Sequence, residues 1–148
     1  HNMANWAQGI YEIKNPEKYV GNKKPKYRSG WEFTFMQFCD MNKSVLQWAS
    51  EPLRIPYRNP LTGKNTNYVP DFLIVYQNKY GKQVAEMVEI KPKKQSLIES
   101  RVASAKDRAI VALNHAKWSA AMAFCKQQGL IFRVVTEDDL FYNGSRSK

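Results

Sequence analysis

Residues 68–76 read Tyr68-Val69-Pro70-Asp71-Phe72-Leu73-Ile74-Val75-Tyr76, and residues 84–91 read Val84-Ala85-Glu86-Met87-Val88-Glu89-Ile90-Lys91. The first stretch is aromatic or β-branched on both faces, which is typical of a central strand, and the second is also largely apolar. Residues 78–82 between them have the composition of a turn, and Pro92 ends the second run because proline cannot donate to a strand ladder. The sequence therefore predicts two neighbouring strands joined by a hairpin.

Three charged side chains fall where these strands meet. The hairpin brings Asp71 opposite the end of the second strand, and Glu89 and Lys91 are two positions apart, so both point to the same strand face. Glu89 also lies in an apolar run, where an unpaired carboxylate is costly. Two carboxylates and a lysine can hold a divalent metal, a water and a phosphodiester together. The pattern therefore predicts a site that cuts nucleic acid.

The same residues also have a simpler interpretation. Asp71 would then be an ordinary acid at a strand start, and Glu89 and Lys91 would form a solvated ion pair, which contributes little to stability. The apolar neighbours of Glu89 favour the catalytic interpretation.

Composition limits the class of protein. The chain has 148 residues, 43% of them hydrophobic, which suits one domain with a single core. We see no run long enough to span a membrane and no signal peptide, so we expect a soluble intracellular protein. Cys39 and Cys125 are expected to be buried thiols, and His1-Asn2 before Met3 resembles a cloning remnant.

The charge balance favours a polyanionic partner. Lys and Arg number 23 against 13 acids, a formal net charge of +10. Releasing counterions from a phosphate backbone then supplies affinity that does not depend on sequence. The alternative is a generally basic surface. Clustering favours DNA contacts by six basic residues: Lys23, Lys24, Lys26, Arg28, Lys93 and Lys94.

The remaining chain predicts one α/β domain. Residues 1–26 are expected to form a basic arm with little regular structure, residues 27–142 the domain, and residues 143–148 a polar tail. Within the domain we expect a helix capped by Ser29, helices at 96–113 and 114–128 ending at Gly129, a last strand at 130–135 and a helical turn at 136–140. Residues 45–50 and 53–57 are expected to form two short strands or one bent strand interrupted by Pro52. The turn at 59–65 follows, so the strand at 53–57 is expected to pair with the Asp71 strand. The order predicts a mixed sheet covered on both faces.

Glu32 has two interpretations. Three positions after Ser29, it completes a capping box, which is a sufficient structural role. It also shares a helix face with Phe35, Met36 and Cys39, which turns it toward the interior. A carboxylate there could reach a metal held by Asp71 and Glu89, and the sequence leaves the two roles open.

With Glu32, Pro70-Asp71 and Glu89-Ile90-Lys91 in this order, the chain resembles the PD-(D/E)XK nuclease superfamily. Segments across residues 27–140 narrow the resemblance to the TnsA-type endonuclease group, which includes transposase subunits that cut transposon ends and phage head-completion nucleases. The segments are Tyr27-Arg28-Ser29-Gly30-Trp31-Glu32, Val45-Leu46-Gln47-Trp48, Ile55-Pro56-Tyr57, Tyr68-Val69-Pro70-Asp71-Phe72, Val88-Glu89-Ile90-Lys91-Pro92, Lys117-Trp118-x-x-Ala121 and Gly129-Leu130-Ile131-Phe132. The short, single-domain form is most similar to the head-completion nucleases.

The resemblance implies a restriction-endonuclease-like α/β/α sandwich and a Mg²⁺-dependent deoxyribonuclease, with Mn²⁺ able to substitute. Asp71, Glu89 and the Ile90 carbonyl would bind the metal, and Glu32 would bind the same or a second ion. Lys91 would hold the attacking water and offset charge in the transition state. Gln47 and Gln95 are weaker candidates.

The resemblance also implies a biological setting. DNA is the expected substrate, the head-to-tail connector proteins of a phage are candidate partners, and the host cytoplasm or the virion is the expected location. Two other functions remain open: a non-catalytic, DNA-binding protein of head-to-tail assembly, and a dimeric nuclease that cuts junctions or transposon ends. Trp48 and Trp118 are expected in the core, and His115 is expected on the surface near a helix start.

Overall fold

The computed structural model describes residues 8–92 and 104–139. Within these ranges the helices are α1 (Gly30–Met41) and α2 (Ala105–Gln128), with a short 3-10 helix at Pro16–Lys18. The strands are β1 (Gly9–Ile10), β2 (Lys26–Tyr27), β3 (Val45–Ser50), β4 (Ile55–Arg58), β5 (Asn65–Tyr68), β6 (Phe72–Gln77), β7 (Gln83–Ile90) and β8 (Ile131–Val135). Residues 137–139 form the predicted helical turn, in which the Thr136 N–H donates to Asp139.

The central sheet is mixed, as predicted. Its strand order is β3-β6-β7-β8, with antiparallel pairing except between β7 and β8, which are parallel. Adjacent strand residues point to opposite faces. Val135 accordingly packs in the core against α1, whereas Val134 packs on the other face beside Trp118 of α2. This three-layer arrangement confirms the restriction-endonuclease-like sandwich.

Residues 68–76 do not form one strand, contrary to the prediction. β5 ends at Tyr68 and β6 begins at Phe72. Pro70 lies between them; it lacks an N–H donor and restricts the conformation of the residue before it. β5 pairs with β4 in a separate hairpin, while β6 pairs with β3. The strand near residues 53–57 is therefore the hairpin partner of β5 and not of β6.

The helix ends follow the predicted caps, but one predicted break is wrong. The Ser29 hydroxyl accepts from the Glu32 N–H at the start of α1, and Gly129 ends α2 with φ +74°, a conformation that favours glycine. α2 runs without interruption through Leu113 and Asn114, because neither residue removes a backbone donor. The part of the predicted helix at residues 96–103 lies outside the described residues.

The N-terminal segment packs against the domain. In its described part, from residue 8, it contains β1, the 3-10 helix and the start of β2, and Tyr11 is buried in the core. Its hydroxyl donates to Oδ2 of the buried Asp40 over 2.8 Å, and the backbone N–H groups of Lys14 and Asn15 donate to the same carboxylate. Residues 11–15 are thereby attached to α1. In the described part of the chain, neither α-helix combines the length and apolar character that a membrane crossing requires.

Candidate active site

Asp71 and Glu89 meet at one edge of the central sheet. Phe72 pairs with Val88 in the antiparallel β6–β7 register, so the residue before β6 lies beside the end of β7. The Ile90 N–H donates to Oδ2 of Asp71 over 2.8 Å, which attaches the aspartate to the neighbouring strand. The predicted hairpin thus brings the two acids together, as the sequence implied.

The surroundings of both carboxylates disfavour their charged form. Burial raises the pKa of Asp71 well above its usual value, and the charge of Glu89 raises it further. Burial also raises the pKa of Glu89, which is only 5% exposed, although the Tyr68 hydroxyl and Lys91 oppose this rise. The solvated ion pair is therefore the wrong interpretation of Glu89. A bound cation would remove the repulsion between two adjacent carboxylates that are shielded from water in this way.

Two groups hold the Glu89 carboxylate in place. The Tyr68 hydroxyl donates to Oε1 over 2.6 Å, and the Lys91 ammonium lies 3.4 Å from Oε2. Each oxygen thus has a different partner. The role of Tyr68 was not predicted from the sequence, because an aromatic residue at a strand end carries no local sign of its distant partner.

Glu32 has features of both roles that the sequence left open, the helix cap and the acid near Asp71 and Glu89. Its Oε1 accepts from the Arg28 N–H over 2.9 Å, one residue earlier than the Ser29 N–H of a standard capping box. Burial raises the pKa of Glu32, the Arg28 interactions lower it, and the charge of Glu89 raises it. Glu32 therefore caps α1 and also lies within the electrostatic field of the two acids.

The donor set fits a hard divalent cation. Asp71 and Glu89 supply carboxylate oxygens, and the Ile90 carbonyl is part of the same short segment, which are ligands that such cations prefer. Among residues 8–92 and 104–139, no three His, Cys, Asp or Glu side chains are arranged around a single metal position. Asp71 and Glu89 are thus the two carboxylates that the β6–β7 hairpin brings together, and the charge of Glu32 raises the pKa of Asp71.

Two of the predicted DNA-binding residues are connected to this site through Glu51. Its Oε2 accepts from Arg28 over 2.5 Å, and its Oε1 lies 3.5 Å from the Lys23 ammonium. Glu51 has φ +48°, which is uncommon outside glycine, and its N–H donates to the Asp71 carbonyl over 2.8 Å. The role of Glu51 was not predicted from the sequence, since a positive φ cannot be inferred from a glutamate at a strand end.

The other predicted residues are distributed as follows. Lys24 and Lys26 are exposed on the N-terminal segment, while Lys93, Lys94 and Gln95 lie outside the described residues. Gln47 is exposed on β3 opposite Val75 and is not brought to the acids. Trp48 and Trp118 are buried, as predicted. His115 is exposed, as predicted, but lies well inside α2 and not near its start.

Comparison with known proteins agrees with this architecture. Residues 42–137 match the sequence profile described as TnsA-like endonuclease N terminal. The head completion nuclease of Enterobacteria phage T4 is 36% identical over 142 residues, which covers 89% of this chain and 92% of that protein. The resemblance predicted from the sequence is confirmed. A match over more than half of the chain places this protein in the family of TnsA-like endonuclease N-terminal domains.

Proposed function

We propose that this protein is a Mg²⁺-dependent DNA endonuclease that hydrolyses phosphodiester bonds during phage head completion. The observation that carries the proposal is the pairing of the partly buried Asp71 with the buried Glu89 beside Lys91, where β6 begins and β7 ends. A purely structural DNA-binding protein has no need for two mutually repelling carboxylates at a sheet edge, because their burial is costly.

Asp71, Glu89 and the Ile90 carbonyl would hold the cation, with Glu32 as ligand of the same or a second ion. Mg²⁺ suits an all-oxygen donor set, and Mn²⁺ is expected to substitute. When bound, such an ion lowers the pKa of a water and polarises a phosphoryl oxygen. The chain fixes the geometry of the donors, since Asp71 is held by the Ile90 N–H and Glu89 by Tyr68.

Lys91 supplies the fixed positive charge of the proposed mechanism. Its ammonium lies 3.4 Å from Glu89 Oε2, which keeps it beside a proposed metal ligand. It would orient the attacking water and offset the negative charge that develops on the phosphoryl oxygens. Because it approaches the carboxylate without being a metal ligand, its loss should affect turnover more than metal binding.

DNA is the proposed substrate, and the exposed Lys23, Lys24 and Lys26, with Arg28, Lys93 and Lys94, are the proposed backbone contacts. The head-completion setting rests on the similarity to the phage T4 protein, whose name describes a head completion nuclease. Action on packaged DNA ends in the infected host, contact with head-to-tail connector proteins and presence in the virion belong to this proposal.

The decisive experiment compares Mg²⁺-dependent cleavage of duplex, nicked, branched and single-stranded DNA. The parent should cut at least one of these substrates and stop when EDTA is added, while Asp71→Ala should bind DNA but not cut. Glu86→Gln is a matched control. It changes a second buried carboxylate of β7 that, like Glu89, is bonded to a tyrosine, Tyr76, and a cation, Arg133.

Cleavage should survive in Glu86→Gln. DNA binding without cleavage by the parent in either Mg²⁺ or Mn²⁺ would instead favour the non-catalytic assembly protein. Parental activity in Asp71→Ala would contradict the site. A dimer that cuts only branched DNA would favour the junction nuclease.

A further inference from the structure

A second lysine, Lys117 of α2, lies on the face of the sheet that carries Glu89. Its helix is fixed there because Trp118 and Ala121 pack with Tyr68 and Ile55 in the core between α2 and the β4–β5 hairpin. The Lys117 ammonium is 5.9 Å from the centre of the Tyr68 ring, within the range of a cation–π contact. The position of this ammonium is therefore set by tertiary packing and not by a flexible surface loop.

The ring beneath this ammonium belongs to the residue that holds Glu89. Tyr68 donates its hydroxyl to Glu89 Oε1, while Lys91 approaches Oε2 of the same carboxylate. Lys117 and Lys91 consequently approach the site from different elements, one from α2 and one from the end of β7. Among the described residues, the Lys117 ammonium contacts an aromatic face and not a carboxylate.

The electrostatics agree with this placement. Burial lowers the pKa of Lys117 below its ordinary value, and the Lys91 charge lowers it further, while Glu89 and Asp71 act in the opposite direction. Two ammonium groups that affect each other in a partly buried site repel, and an anion bound between them removes that repulsion. The anion that the proposed reaction brings to this place is a DNA phosphate.

We propose that Lys117 is a second catalytic cation, which contacts the scissile phosphate from α2 on the side opposite Lys91. This inference rests on the proposed nuclease function and extends it to a residue outside the acid-acid-lysine set. Attack of water on a phosphodiester increases the negative charge on its phosphoryl oxygens in the transition state. Cations that are already in position around these oxygens stabilise that charge. Lys117 would also help to hold the phosphate in line with the water oriented by Lys91.

The test compares Lys117→Met, Lys117→Arg and the control Lys126→Met in the full chain. Methionine keeps an apolar stem over the Tyr68 ring but removes the charge, whereas arginine keeps the charge. Lys126 lies in the last turn of the same helix and is exposed. Turnover at saturating DNA, KM, and duplex affinity measured by fluorescence anisotropy in Ca²⁺ are the three readouts.

Lys117→Met should lower turnover by about 100-fold, the loss typical of one removed charge-stabilising donor. Duplex affinity should fall by less than tenfold, Lys117→Arg should recover part of the turnover, and Lys126→Met should match the parent. Circular dichroism and thermal melting establish that each variant is folded.

Parental turnover in Lys117→Met, with Asp71→Ala inactive, would overturn this inference and leave the nuclease proposal standing. Equal losses in Lys117→Met and Lys117→Arg, both folded, would also overturn it, because the requirement would then be for lysine packing and not for charge. If the parent cuts no DNA, both the proposed function and the role of Lys117 fail.

Discussion

The Tyr68 hydroxyl donates a 2.6 Å hydrogen bond to Oε1 of Glu89, although the two residues belong to different sheets. Tyr68 ends β5 of the small hairpin, and Glu89 is near the end of β7 in the central sheet. The hairpin thereby fixes one oxygen of a proposed metal ligand. Replacing a group that orients a metal ligand typically lowers metal affinity or activity by about 10- to 100-fold.

Tyr68→Phe should therefore weaken Mn²⁺ binding, measured by calorimetry, by about 10- to 100-fold. The hydroxyl lowers the pKa of Glu89, so its removal favours the protonated acid, which binds no cation. Tyr76→Phe is the matched control, because it deletes another 2.6 Å hydroxyl-to-carboxylate bond, to Glu86. Equal metal affinity in the parent and Tyr68→Phe would contradict the positioning role.

Glu32→Gln separates capping from catalysis. The amide oxygen can still accept from the Arg28 N–H, but the negative charge near Asp71 and Glu89 is lost. We expect strong loss of cleavage with a melting temperature close to that of the parent. Ser29→Ala gives the reverse comparison, since it removes the cap and costs about 1 kcal/mol of stability while leaving the acids intact. Full activity in Glu32→Gln would reduce Glu32 to a capping residue.

Asp71→Asn should stabilise the metal-free protein at neutral pH. The folded-state pKa of Asp71 is raised, so the native protein holds this proton more tightly than the unfolded chain does. The stability contribution is present below the unfolded pKa of about 3.9 and is lost as pH rises through the folded pKa. The melting-temperature advantage of Asp71→Asn should consequently be small near pH 4 and grow toward neutral pH.

Each kcal/mol of this advantage corresponds to about 2–4 °C for a chain of this size. The exposed Glu12 provides a control, because Glu12→Gln should change the melting temperature little at any pH. Added Mg²⁺ should narrow the difference in melting temperature between Asp71→Asn and the parent, because it stabilises the parent alone. A melting-temperature advantage of Asp71→Asn that grows toward acid pH would contradict a raised pKa of Asp71.

Lys91→Met should abolish most cleavage while retaining metal affinity. The ammonium acts on the water and the phosphate. Its removal favours protonation of Glu89, but it also removes a positive charge that repels the bound cation, and the two effects on metal affinity oppose each other. We expect a turnover loss of about 100-fold with Mn²⁺ binding within a few-fold of the parent. Lys79→Met, in the turn at the far end of the β6–β7 hairpin, should behave like the parent. A large fall in metal affinity in Lys91→Met would contradict the proposed role.

Lys93 and Lys94 directly follow the site in sequence and lie outside the described residues. If both contact phosphates, replacing them together with alanine should flatten the dependence of log affinity on log salt by about one to two units. All duplex sequences should weaken about equally, because neither side chain is proposed to read a base. Lys79 and Lys82 in the far hairpin turn form the matched double control. If Lys93→Ala/Lys94→Ala keeps the parental slope of log affinity against log salt, these two lysines do not contact the DNA backbone.

The sequence by itself determined the features that depend on neighbours in the chain. Ser29 and Gly129 set helix ends through local hydrogen bonds and local backbone conformation, and both were predicted. Asp71 and Glu89 were predicted to meet because one short hairpin connects their strands, which leaves little freedom in how they pair. The apolar neighbours of Glu89 in the sequence likewise predicted that its side chain is buried.

Only the tertiary structure decided which distant groups surround those acids. The break at Pro70 sends β5 and β6 to different sheets, and this separation directs Tyr68 toward Glu89. Lys117 reaches the same place because α2 packs across that face, and Glu51 joins through a backbone bond to Asp71. Hydrophobic packing between remote segments selects these neighbours, and it leaves no periodic pattern around the polar residues that it brings together.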